Sequence, residues 1–239
     1  MLNLALFISG GGSTASAVIS ACFKGKLKLK PVLVIASRSN CQGIKKTLAS
    51  GIPLKDIITV KPQSYSSDRL FGQRLIKECQ QRSVDLIGQF GWLPLTPSNL
   101  IDIYQGRMIN QHPGPLDPPR ADFGGKGMFG RRVHAAVIIY RRKTNEDYWT
   151  EATTHLVGRE FDKGPVIGRK KIQINEDETV ESLQEKVLPL EHRLQIDVLN
   201  LLIKNKIKIL KREKPLIETN CLPVLRQAKE TAVYLYPRG

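Results

Sequence analysis

The chain has 239 residues, with 37 Lys and Arg against 22 Asp and Glu and a formal net charge of +15. A chain of that length can bury its own core as one α/β domain without help from disulfides or metals. Its four scattered cysteines form no CxxC pair, and its first apolar run is too short for a leader or a membrane span, so the expectation is reduced thiols, no membrane and a cytoplasmic setting.

Apolar runs at 2–8 (LNLALFI), 31–36, 56–60 and 84–90 read as short buried strands. Between them, 14–24, 40–50 and 67–82 have helical spacing. In the third helix Leu70, Leu75, Ile76 and Cys79 are expected to share a face, behind Ser67 and Asp68 as caps. This alternation predicts an α/β fold: a doubly wound, mostly parallel sheet with right-handed crossovers and a Rossmann-like N-terminal half. A fifth strand is expected to end at Ile109, and the Pro- and Gly-rich 113–130 reads as a loop. Helical spacing returns around 130–140, and 151–161 and 165–174 read as two strands parted by a turn at DKGP. A long helix follows over 178–204 despite Pro189. Residues 1–204 are expected to form one domain with halves 1–109 and 110–204, and the basic 205–239 a weakly structured or packed tail.

Three places could carry chemistry. In FISGGGSTASAVISAC a glycine turn opens a helix, so Gly11, Gly12, Ser13 and Thr14 could offer backbone N–H groups and a helix N-terminus to a phosphate. The loop lacks both the Gly-Lys-Ser/Thr end of a Walker loop and the GxGxxG fingerprint, so a bare turn is the alternative. In MINQHPGPLDP, Asn110 and His112 stand at i and i+2 on an extended segment and point the same way. Asp162, in EFDKGPVIG, is the third, although Asp is common in any turn. His155 lies in a strand pattern and reads as a core histidine. No Cys or carboxylate has zinc-ligand spacing around the histidines, and there is no GxSxG elbow. An Asn, a His and an Asp around one carbonyl suit acyl transfer without a covalent enzyme intermediate. Asn110 and a protonated His112 would donate to the oxyanion, while Asp162 raises the pKa of His112 and relays a proton.

ISGGGST, INQHPGPLDP and EFDKGPVIG, in that order, resemble the folate-dependent formyltransferases from residue 2 to about 200, most closely those of the phosphoribosylglycinamide type. The resemblance implies 10-formyltetrahydrofolate as formyl donor and a phosphorylated amine as acceptor, glycinamide ribonucleotide of purine synthesis first. The amine would attack the formyl carbon directly. It implies Asn110, His112 and Asp162 as catalytic residues, with Gly11, Gly12, Ser13 and Thr14 at the substrate phosphate. Glu191 would stand beside the substrate amine; Arg69, Trp92, Leu93, Pro94 and Leu95 would meet the folate, with 1–109 as the phosphate-binding half and 110–204 as the catalytic and folate-binding half. No metal is implied.

Three departures bear on the acceptor. Thr14 stands where the family usually has Asn. The segment Trp92–Pro94 replaces a mix that includes an arginine. The loop after His112-Pro113 is enlarged, leads to a family histidine matched by His134, and carries Arg120, Lys126, Arg131 and Arg132, expected to add positive charge beside the crevice. A nucleotide-sugar amine, methionyl-tRNA, or a non-catalytic nucleotide- or RNA-binding role therefore stay open, with the +15 charge keeping RNA among the partners.

Overall fold

The computed structural model describes residues 1–145 and 148–239. Its elements are β1 (Leu2–Ile8), α1 (Ser13–Phe23), β2 (Leu29–Ala36), α2 (Gln42–Ala49), β3 (Ile57–Thr59), α3 (Asp68–Gln81), β4 (Leu86–Gln89), α4 (Ser98–Ile103) and β5 (Met108–His112). They continue with α5 (Arg131–Thr144), β6 (Trp149–Leu156), β7 (Val166–Gln173), α6 (Val180–Ile203) and α7 (Leu222–Leu235). The seven strands form one sheet in the order β3-β2-β1-β4-β5-β6-β7. Neighbours from β3 to β5 are parallel, and β6 and β7 add an antiparallel edge. The doubly wound, mostly parallel α/β fold read from the sequence is the one present.

Strand β1 has no polar face: Leu4 through Ile8 are all fully buried. That is the mark of a strand covered on both sides. Leu4, Leu6 and Ile8 join Val34 and Ala36 in a core with α1, α5 and α6. Ala5 and Phe7 join Leu33 and Ile35 in a second core with α3 and α4. The period-two alternation thus divides one apolar run between two cores.

Several boundaries differ from the sequence reading. In α3 the buried face runs through Phe71, Leu75 and Cys79, while Leu70 is 44% exposed. Strand β5 continues past Ile109 to His112, so Asn110 and His112 are strand residues fixed by sheet hydrogen bonds. The turn between β6 and β7 runs over 157–165, longer than DKGP alone. Helix α6 passes through Pro189, which sits on its exposed side, where water can serve the backbone groups a proline leaves unpaired. Residues 205–239 contain α7, whose Leu225, Ala228 and Ala232 are buried in the core shared with α5. No helix among the described residues is long and apolar enough to cross a membrane.

Candidate active site

Between β1 and β4 the strand order reverses, which opens a crevice beyond the strand ends. A cleft of about 550 Å³ lies there. Its walls include Gly11 to Thr14, Trp92 to Leu95, Asn110, His112, Asp162 and Glu191. Of the catalytic, phosphate, amine and folate residues that the resemblance implies, Arg69 alone is not part of the wall. It sits on the exposed side of α3, and its carbonyl accepts from Asn99 Nδ2 at 3.0 Å.

The glycine loop is built by close backbone contact. Gly12 caps α1 in the left-handed region, φ 67°, and a Cβ there would lie 2.4 Å from the Cα of Gly43. No side chain caps the helix and its first turn carries no acid. The first N–H groups of α1 have no intrahelical partner and face the cleft with the positive end of the helix dipole.

At the other wall, β5 places Asn110 and His112 on one side and turns Gln111 to α6, where Gln111 Nε2 donates to Glu191 Oε1 at 3.2 Å. Asp162, on the β6–β7 loop in the left-handed region at φ 58°, folds back to meet them. Its Oδ1 accepts from Asn110 Nδ2 at 3.3 Å and its Oδ2 from the Gly125 N–H at 2.9 Å. His112 Nδ1 stands 3.6 Å from Oδ2. His155 completes the group: Nε2 lies 3.1 Å from Asn110 Nδ2 and 3.4 Å from Asp162 Oδ1, and Nδ1 lies 2.8 Å from the Leu156 carbonyl. A carbonyl only accepts, so Nδ1 of His155 carries a proton. His155 is therefore part of the site and not a bystander of the core. Its strand pattern gave no sign of this, because the pairing of His155 with Asn110 depends on the β5–β6 register.

Burial would raise the Asp162 carboxyl, but the adjoining imidazoles of His112 and His155 and the Gly125 N–H outweigh it and hold the group at about 2. For His112 the balance runs the other way. Burial pushes its pKa down more strongly than Asp162 and Asp122 push it up. This corrects the expectation of a protonated His112: at rest the ring is neutral. Nδ1–H faces the carboxylate, and Nε2, buried and without a partner among the described residues, carries the lone pair. His134 is buried behind it and pushed down to about 3. Burial pushes the Glu191 carboxyl up to about 8, so it keeps its proton at neutral pH.

The 113–130 loop has no helix or strand but is tied internally. Asp122 accepts from the N–H groups of Asp117 and Gly124, both at 3.0 Å, and Phe123 packs edge-on to Tyr140 with centroids 5.5 Å apart. The positive charge expected beside the crevice is mostly spent elsewhere. Arg120 binds Asp117 and the Arg212 carbonyl, Arg131 binds Glu181, and Arg132 binds the carbonyls of Tyr236 and Pro237. Lys126 alone of the four lines the cleft.

This cleft can be set beside known proteins. Residues 2–199 match the family model described as "Formyl transferase". The chain is 30% identical to the chloroplastic phosphoribosylglycinamide formyltransferase of Arabidopsis thaliana over 221 residues, 92% of this chain and 72% of that one. With the enzyme of the same name from Bacillus subtilis it shares 27% over 203 residues, 85% of this chain and 95% of that one. The solved glycinamide ribonucleotide transformylase 1 of Geobacillus kaustophilus superposes with a TM-score of 0.71 at 28% identity, over 84% of this chain and 98% of that one. The sheet order, the cleft at its reversal and a family match over most of its length agree, and the chain belongs to the formyl transferase family as a folate-dependent formyltransferase.

Proposed function

We propose that this chain transfers the formyl group of 10-formyltetrahydrofolate to the amine of glycinamide ribonucleotide; the names of its relatives call them phosphoribosylglycinamide formyltransferases. The observation that carries the reading is the convergence of Asn110, His112 and Asp162 in one cleft with the glycine loop of α1. The folate fits the residues at the other end. Trp92 Nε1 is a buried donor without a partner among the described residues, beside the apolar Leu93 to Leu95, and an unmet donor in a cleft is a place for a ligand acceptor. The four cysteines are free thiols, and a cytoplasmic setting is part of the proposal.

The acceptor phosphate sits on the free N–H groups of Gly12 to Thr14. 10-Formyltetrahydrofolate supplies the carbonyl carbon that the amine attacks. One of the two Nδ2–H groups of Asn110 turns from His155 Nε2 to the formyl oxygen as charge develops there, the other staying on Asp162 Oδ1. His112 Nε2 takes the proton the amine must lose. The imidazolium so formed is steadied by Asp162 and becomes a second donor to the same oxygen, before the proton passes to the leaving nitrogen. Neutral Glu191 presents a carboxyl to the amine side without trapping it as an ion pair.

The test is tetrahydrofolate release followed by absorbance with both substrates present. Asp162→Asn and His112→Ala should each lower kcat by about 10²–10³-fold while the protein stays folded. Full turnover in either variant would refute the assignment of roles. Turnover with a different amine only would move the acceptor and keep the chemistry.

A further inference from the structure

The peptide joining Gly124 to Gly125 stands between Asp162 and α7. At one end the Gly125 N–H donates to Asp162 Oδ2 at 2.9 Å. At the other, the Gly124 carbonyl accepts from Lys229 Nζ at 2.7 Å. In a planar trans peptide the C=O and N–H point in opposite directions, so the two bonds terminate one amide dipole. The peptide is close-packed at its Gly124 end: a Cβ there would fall 2.7 Å from the Cβ of Asp162 and 2.6 Å from Leu116 Cδ2. Lys229 is itself well anchored. Ala228 and Ala232 on its helix are fully buried, and Arg132 of α5 holds the Tyr236 carbonyl at 2.8 Å just beyond that helix. Lys229 lies outside the span 2–199 that the family model matches.

We infer that Lys229 is a positioning residue for formyl transfer, acting through the Gly124–Gly125 peptide to orient and polarise the amide that holds the Asp162 carboxylate. A hydrogen bond from a cation is roughly twice as strong as a neutral one, and bonds in series strengthen each other. The ammonium on the carbonyl makes the opposite N–H a better donor and fixes its direction. Asp122, Lys163 and Asp162 itself also act on Lys229 through space, but the hydrogen-bonded link from Lys229 to Asp162 runs through the Gly124–Gly125 peptide; Lys163 Nζ bonds the Arg120 carbonyl at 3.2 Å. The inference rests on Asp162 acting as proposed above.

Lys229→Met in the full chain removes the charge and the donor but keeps the aliphatic stem. The Gly125 amide proton resonance should move upfield as its bond to Asp162 weakens, and Lys229→Arg should return it toward its original place. In steady-state assays the Met variant should lose about 10-fold in kcat, with both KM values held within about twofold. An unmoved Gly125 resonance in a folded variant would overturn the inference. So would kcat and KM worsening together with a lower Tm, which marks a mere loop anchor. Should the Met variant fail to fold, Lys229→Gln reads the same resonance with a neutral donor, and no displacement again overturns it. Absence of any formyl transfer by the parent protein would sink the proposed function, while the Gly125 resonance would still decide whether Lys229 governs that amide.

Discussion

Glu191 and Asp162 share a cleft and hold opposite charge states, for reasons that lie in their immediate neighbours. Asp162 has donors on both oxygens and is ionised. Glu191, 5% exposed, meets one weak amide donor, and burial takes its pKa from 4.5 to about 8. The folded state therefore keeps a proton between those pH values that the unfolded state has lost. Stability from this group is fully present below pH 4.5 and falls as pH rises toward about 8, by up to about 1.4 kcal/mol per pH unit. Glu191→Gln should flatten that slope. Urea midpoints of parent and variant at about pH 5 and about pH 8 check it: the variant should be the more stable at the higher pH.

At the scale of elements, the glycine turn is held by backbone against backbone. Gly12→Ala would force a side chain into the left-handed region and against Gly43. It should cost about 1–3 kcal/mol in thermal or urea unfolding and raise KM for the phosphorylated substrate more than for the folate. Strands β1, β2 and β4 were legible because continuous apolar runs bounded by glycine or polar residues admit few other readings. Helix α4 was not: six residues after Pro97 are too few to show a period. Helix α7 hides its buried stripe in small residues, Ala228 and Ala232, which carry little hydropathy signal. The site was legible as three motifs, but not as a geometry. The proximity of Asp162 to Asn110 depends on a nine-residue excursion between β6 and β7 over 157–165, and that of His155 on strand register.

For the whole molecule, the segment after α6 binds the domain at widely separated points. The Leu210 N–H donates to the Val166 carbonyl at 2.8 Å, the Leu216 N–H to Asp117 Oδ2 at 2.8 Å, and Arg212 pairs with buried Glu151. Helix α7 then covers α5 and the back of the loop that holds Asp162. Deleting residues 222–239 should uncover the apolar face of α5 against which Leu225, Ala228 and Ala232 pack and lower Tm by on the order of 10 °C. Turnover should drop further than the folded fraction does, because the Gly124 carbonyl loses its partner. Thermal unfolding and kcat per folded molecule, measured together, separate the two effects.

The chain has two tryptophans, and the fold has put them in unlike surroundings at separate places. Trp92 stacks over Phe71 with centroids 6.3 Å apart in the wall of the cleft. Trp149, at the start of the antiparallel edge, is ringed by Arg141, Lys171 and Arg212 with cations 4.5 to 5.6 Å from its ring. One indole lies in the wall of the cleft and the other against the segment carrying Arg212. With Trp149→Phe or Trp92→Phe in place, the remaining tryptophan reports on the cleft or on the packing of the segment after α6, so ligand addition and denaturant can be followed at each place separately without any label.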